Sequence, residues 1–286
     1  MVGVQPVSEN PSGQPAGRSN LVLRIVSSLV LAPVAVAAAY FGGPIFIVFW
    51  AVAAILVLWE WDTLVCAHDR NAVLATGAVA LVGAGVSLAL NQSGIAMALV
   101  ALGLFGVAAL ASKIRRGWCI SGLAYAAVLL IAPALLRNDA SFGFAAIVFL
   151  FVIVWLTDIT AYFVGRAIGG PKLMPRVSPK KTWSGAIGGT LAGVVGGVIV
   201  AAQAGTGRLV AVALIALVLS IISQAGDLAE SAIKRQFSAK DSSQLIPGHG
   251  GLMDRLDGFV AAAAAGALAG IAHGGLDAPA RGLMVW

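Results

Sequence analysis

Charge is what this sequence has least of. Asp, Glu, Lys and Arg make up only 10% of its 286 residues, against about a quarter in ordinary soluble domains, which excludes a water-soluble globular domain. Cysteine is nearly absent as well. Cys66 and Cys119 stand near helix ends without metal-ligand spacing, so neither a disulfide framework nor a zinc site is expected. The three histidines, His68, His249 and His273, are equally scattered, and no repeat of solenoid period occurs. What the chain has instead is apolar bulk, with 59% hydrophobic residues and a mean hydropathy of +0.95. The net charge of +6 needs no nucleic-acid partner, because lysine and arginine are retained on the cytoplasmic loops of membrane proteins.

The chain therefore reads as an all-α, polytopic integral membrane protein. Residues 1 to 20 are rich in Gly, Pro, Ser, Asn and Gln and read as a disordered cytoplasmic tail. A span needs about twenty apolar residues, and breaks fall where Gly, Pro, Asn and charges cluster. Nine helices are expected, near 21–41, 45–65, 73–90, 94–112, 119–136, 142–164, 183–203, 208–226 and 256–273. The first is longer than the apolar core of a signal peptide and is read as retained. Nine spans place the termini on opposite sides. With the N-terminus inside, fifteen of the eighteen Lys and Arg fall on cytoplasmic segments, leaving Arg137, Arg208 and Arg281 outside. Residues 21–154 then form a scaffold that gives access to lipid. Residues 155–286 form a catalytic region whose polar loops, 165–182 and 227–255, face the cytosol of a cell (inner or plasma) membrane.

Five of the twelve acidic residues, Asp227, Glu230, Asp241, Asp254 and Asp257, crowd into the stretch from Asp227 to Gly258. A chain this poor in charge gathers carboxylates where it holds a polar ligand. Asp227, Glu230, Ser231 and Lys234 recur at i, i+3, i+4 and i+7, one face of a helix if the eighth span runs on past the hydrocarbon. Asp254 and Asp257 are i and i+3 on the first turn of the last helix. Before them, Pro247-Gly248-His249-Gly250-Gly251 offers backbone N–H groups to an oxyanion. Hard divalent cations such as Mg²⁺ take one or two carboxylates together with substrate phosphates. Asp227 and Asp254 suit that role if their helix ends meet.

Further polar groups lie upstream. Ser178-Pro179-Lys180-Lys181-Thr182 reads as a helix start with Ser178 as N-cap. That places Lys180 and Lys181 in a first turn that disfavours cations unless an anion binds there. Asp158 lies inside the sixth span, about two turns from its cytosolic end, and intramembrane acids are functional candidates by default. Arg166 follows on roughly the same face. Glu60 and Asp62 sit near the cytosolic end of the second helix, where snorkelling would account for them. In the seventh helix Gly185, Gly189, Gly193 and Gly197 make one face nearly flat, which suits tight helix packing. Gly266 and Gly270 of the last helix read the same way.

The run Ser231-Ala232-Ile233-Lys234-Arg235, Lys240-Asp241 and then Pro247-Gly248-His249-Gly250-Gly251-Leu252-Met253-Asp254-Arg255-Leu256-Asp257 resembles the signature of the phosphatidate cytidylyltransferases, or CDP-diacylglycerol synthases. Trp59-Glu60-Trp61, Ala161-Tyr162-Phe163-Val164-Gly165-Arg166 and Ser178 to Thr182 are also similar to that family, whereas Asp158-Ile159-Thr160 stands where members often have Asp-Thr-Gly. The resemblance implies a helical membrane enzyme that forms dimers and uses Mg²⁺, with a second cation left open. It implies transfer of a cytidylyl group from CTP to phosphatidic acid, giving CDP-diacylglycerol and pyrophosphate. The family's metal-binding aspartates map onto Asp227 and Asp254, with Glu230 and Asp257 in support. Lys180, Lys181, Lys234, Arg235, Arg255 and Arg166 are then expected to meet phosphates, and His249, Gly250 and Gly251 to lie against them. Asp158 and Ser231 complete the substrate face. Two other readings compete. An ion-coupled transporter would also carry intramembrane acids, but it predicts broken helices and inverted repeats. A CDP-alcohol phosphotransferase shares Asp254-Arg255-Leu256-Asp257-Gly258 but needs a following arginine and two further aspartates that Val260 to Ala265 and the remaining chain do not supply.

Overall fold

A computed structural model describes residues 30–66, 70–246 and 250–286. The expected tail, the first part of the first span, and His68 and His249 lie outside the described residues. The helices run in order as α1 (Val30–Phe41), α2 (Gly43–Val65), α3 (Arg70–Ala89), α4 (Ser93–Leu110), α5 (Arg116–Arg137) and α6 (Gly143–Ile168). A small hairpin follows, β1 (Lys172–Met174) and β2 (Ser178–Thr182), then α7 (Trp183–Gln203), α8 (Leu209–Gln236), α9 (Met253–Gly274) and α10 (Pro279–Met284). Eight of these, α2 to α9, are long and apolar enough to cross a membrane. Their outer faces carry residues such as Val79, Leu102 and Phe105 exposed, as lipid-facing positions of a membrane-embedded protein do.

Two expectations are corrected here. The segment 178–182 is a strand rather than the first turn of a helix. Lys172 pairs with Thr182 and Met174 with Ser178, and Trp183 N–H donates to the Pro171 carbonyl at 3.0 Å. Thr182 is the true N-cap of α7, its hydroxyl accepting from Gly185 N–H at 3.2 Å. Lys180 and Lys181 therefore stand on an extended strand, and the conflict with the helix dipole disappears. Cys66 and Cys119 are the second correction, since the structure joins them as a disulfide across 53 residues. The ends of α2 and α5 meet because Trp61 Nε1 donates to the Trp118 carbonyl at 2.8 Å and the indole lies over Gly122.

Packing follows the small residues. α6 and α7 approach until a Cβ on Gly189 would stand 2.5 Å from the Thr157 carbonyl oxygen, as the glycine face of α7 leads one to expect. α6 stops at Gly169, whose φ of 69° is left-handed backbone that favours glycine. At the core, Trp50 of α2 stacks on Phe259 of α9 with centroids 4.8 Å apart, and Phe151 of α6 leans on the same ring at 5.2 Å. This aromatic contact holds α9 between the two halves of the bundle. The start of α9 thus meets the ends of α2 and α8. At the other end of the bundle, Arg137 Nε donates to the Ala39 carbonyl at 2.5 Å, and Asp139 accepts from Arg281 N–H at 3.3 Å.

Candidate active site

The site is built where α8 outlasts its apolar run. Its 28 residues extend roughly 42 Å, so the last three turns project beyond the part that faces lipid. They carry Asp227, Glu230, Ser231 and Lys234 along one face, as the spacing predicts. Ser231 Oγ lies 3.4 Å from Asp227 Oδ1, and Lys234 Nζ lies 2.7 Å from Glu230 Oε2. α9 begins at Met253, three residues before the expected limit, so Asp254 falls in its first turn and Asp257 one turn on.

The two helix ends do meet. Lys234 Nζ bridges to Asp254 Oδ1 while it holds Glu230, so one ammonium pairs with a carboxyl group from each helix. All three side chains are nearly buried, at 10% exposure or less. Asp254 Oδ2 accepts from Gly251 N–H at 2.8 Å and from Ser242 N–H at 3.0 Å. Its direction is therefore fixed by backbone. Asp257 is buried deeper, taking Gly258 N–H on Oδ1 at 2.6 Å, within electrostatic reach of Asp227, Glu230 and Asp158.

Beside this cup lies a cavity of about 510 Å³, lined by Asp158, Arg166, Lys172, Lys180, Lys181 and Asp227. The hairpin supplies most of its positive charge. Lys181 Nζ sits 2.5 Å from Asp227 Oδ2, so β2 reaches across to α8. Asp158, now about three turns before the end of the longer α6, is within electrostatic reach of Asp227, Lys181 and Arg255. Gln224 also lines the cavity, held by a bond from Nε2 to Thr190 Oγ1 at 2.9 Å. A smaller cavity of about 180 Å³ at the other end of the bundle, among Asn91, Asn138 and Asp139, is remote from these carboxylates.

Not every expected residue joins the cup. Arg235 is exposed and donates to the Ala239 carbonyl at 3.0 Å, closing the end of α8. Arg166 is exposed at the cavity rim and bonds the Tyr162 hydroxyl at 3.0 Å. The expectation that the glycine loop offers its N–H groups to an oxyanion is corrected for the two glycines described. Gly250 N–H donates to the Ile246 carbonyl at 3.2 Å, and Gly251 N–H is taken by Asp254. Gly251 matters for space instead, because a Cβ there would overlap Ser242 Oγ and come within 2.8 Å of Glu60 Oε1. Gly251→Ala is expected to lower kcat about tenfold or more by pushing the start of α9 off Asp254's position, a loss of about 1.4 kcal/mol per tenfold. Steady-state assay of the variant checks this.

Sequence reasoning overlooked Ser242, Ser243 and Gln224, and it read Glu60 as a snorkelling acid. Glu60 does not snorkel; it is fully buried. The only local signal was an acid in an apolar helix between two tryptophans.

Among the described residues, no group of three or more His, Cys, Asp or Glu side chains has the arrangement of a metal site. Two carboxylates completed by substrate phosphates are nonetheless enough for Mg²⁺. The all-oxygen donor set of Asp227 and Asp254 fits such an ion.

Residues 22–270 match the sequence profile described as the cytidylyltransferase family. A protein of Brucella abortus (strain 9-941) named phosphatidate cytidylyltransferase is 47% identical over 251 residues, 86% of this chain and 92% of the relative. One of Brucella suis with the same name matches to the same extent. One of Bacillus subtilis, again so named, is 42% identical over 127 residues, 44% of this chain and 47% of its own length.

Proposed function

The chain belongs to the cytidylyltransferase family, and we propose that the cup between α8 and α9, with the lysine-lined cavity beside it, is where it works. The protein is a nucleotidyltransferase that moves the cytidylyl group of CTP onto phosphatidate, forming CDP-diacylglycerol and pyrophosphate. One observation carries the placement. Asp227 of α8, met by Lys181, lines a cavity of about 510 Å³ rich in further basic groups, and Asp254 of α9 is tied to the same helix α8 by Lys234.

In the reaction a phosphate oxygen of phosphatidate bonds to the α-phosphorus of CTP, and the bond from that phosphorus to the oxygen bridging to the β-phosphate breaks. Pyrophosphate leaves with those electrons. The attacking phosphate monoester carries close to two negative charges near neutral pH, so no side chain needs to act as general base. The obstacle is repulsion between two anions, and what the protein supplies is position and opposite charge. Lys181, Lys180 and Lys172 line the cavity and receive phosphate oxygens; Arg166 does so at the rim. Lys181 leaves Asp227 for phosphate as substrate enters. Lys234 stays between Glu230 and Asp254, keeping the cup from repelling its anionic substrates. Asp227 and Asp254 would hold Mg²⁺, which when bound supplies Lewis-acid charge neutralisation at phosphate.

The site end of the bundle carries most of the basic residues, which supports a cytosolic site and a cytosolic N-terminus in the cell membrane. A ninth span formed by residues 21–41, a second cation and a homodimer belong to the same proposal. A transporter is disfavoured, because α2 to α9 are continuous helices and most of the buried charge gathers at one end rather than at the midplane.

The test is product analysis of the purified protein in detergent with CTP, phosphatidate and Mg²⁺. CDP-diacylglycerol and pyrophosphate are expected in equal amounts, and both are lost on chelation. Formation of neither by folded protein would overturn the reading.

A further inference from the structure

Glu60 is separated by more than 180 residues of chain from the segment that carries Asp254, yet every hydrogen bond its carboxylate makes among the described residues goes to that segment. Its Oε1 accepts from Ser243 Oγ at 2.6 Å and from Leu252 N–H at 2.8 Å. Its Oε2 accepts from Met253 N–H at 2.7 Å and from Ser242 Oγ at 3.2 Å. Four donors thus converge on one fully buried carboxylate.

The reason is a missing cap. The first N–H groups of a helix have no partner within the helix, and α9 has none from its own N-cap residue, Leu252. Glu60 takes those N–H groups from the side, as a cap contributed by α2, and its charge complements the helix dipole. Met253 is followed at once by Asp254. Ser242 ties the two acids more closely still, for its hydroxyl lies 3.2 Å from Glu60 Oε2 and 3.1 Å from Asp254 Oδ2. That hydroxyl has one proton and can donate to only one of them at a time.

We propose that Glu60 is a positioning residue for the transfer reaction: by capping α9 and gripping Ser242 and Ser243, it fixes where the Asp254 carboxylate points. The proposal rests on the cup being the reaction site. It also explains why an acid, rather than its amide, stands there. Glutamine would present an NH₂ to two donors, and the Leu252 and Met253 N–H groups, unlike hydroxyls, cannot turn round to accept. Losing one charge-assisted bond to a buried donor corresponds to about a 10- to 100-fold effect. Residues that orient metal ligands from behind typically change metal affinity or activity by about the same factor when mutated.

The experiment uses the full-length protein in detergent, with Glu60→Gln and Ser243→Ala made singly and together. Two quantities are measured, the kinetic constants for CTP and phosphatidate and the affinity for Mn²⁺ by electron paramagnetic resonance without substrates. For Glu60→Gln, kcat is expected to fall about 10- to 100-fold and Mn²⁺ affinity about tenfold, with KM for phosphatidate within about twofold. Ser243→Ala should have a smaller effect in the Glu60→Gln background than alone, since both act through one cap. A folded Glu60→Gln protein with wild-type Mn²⁺ affinity overturns the proposal, as does a wild type that binds no Mn²⁺. If Glu60→Gln fails to fold, Ser243→Ala decides, because it removes one bond and keeps the carboxylate. Weaker Mn²⁺ binding then supports the proposal and unchanged binding overturns it. Failure of wild type to make CDP-diacylglycerol would strike the reaction assigned to the cup but leave the Mn²⁺ result readable.

Discussion

Asp227→Asn is expected to lower kcat by about a thousandfold, which corresponds to roughly 4 kcal/mol of lost transition-state stabilisation. The side chain is partly exposed at the cavity edge, where it holds Lys181 at 2.5 Å and Ser231 at 3.4 Å. Neither contact supports the core, so the variant should fold and melt close to wild type. What it loses is charge. An amide offers a divalent ion one neutral oxygen in place of an anionic one, and several kcal/mol of charge stabilisation at the phosphates go with it. Lys181 also loses the anion that parks it beside the cavity, so KM for CTP is expected to change less than kcat. Steady-state kinetics with thermal melting of the same preparation separate these effects. A folded variant with more than about a tenth of wild-type kcat would remove Asp227 from the reaction.

Lys234→Met is the second large change, and it acts on stability as well as rate. The ammonium contacts both Glu230 and Asp254, and all three side chains are nearly buried. Removing one member of a buried ionic cluster leaves uncompensated charge, which typically costs about 3–5 kcal/mol. Here two carboxylates would be left facing each other. The expected result is a lower melting temperature together with activity below detection. Adding Glu230→Gln to Lys234→Met should restore much of the stability, because one of the two stranded charges is gone. It should not restore activity, since Asp254 would still lack the lysine that holds Oδ1. If the double variant melts no higher than the single one, the cluster's charge balance is not what holds α8 to α9.

Much of the scaffold was legible from local pattern. Helix α7 falls on its expected limits, and the i, i+3, i+4, i+7 face of α8 is real because the helix continues for ten residues past its expected end at 226. What was not legible depends on pairing across the chain. Ser178-Pro179 looks like a helix start by residue type, yet a partner strand at Lys172–Met174 makes it extended, and no local preference encodes that. Cys66 and Cys119 look unrelated until Trp61 and Trp118 draw two helix ends together. Glycine at 251 looks like backbone freedom for an oxyanion loop, when the space it leaves is filled by Ser242 and Glu60. The role of Glu60 was hidden for the same reason, since its four donors lie in a segment the fold, not the sequence, places beside it.

The most direct test of the account is to change the metal preference of the cup. Asp227→Cys replaces a hard oxygen with a thiolate, which binds Mg²⁺ poorly and softer ions such as Cd²⁺ well. The measurement is CDP-diacylglycerol formation by wild type and Asp227→Cys in Mg²⁺ and then in Cd²⁺ at matched free concentrations. The account predicts a variant silent in Mg²⁺ that regains activity in Cd²⁺ beyond any effect of Cd²⁺ on wild type. A variant that works equally well in both ions, or keeps wild-type activity in Mg²⁺, would contradict the claim that Asp227 holds the ion at the site of transfer.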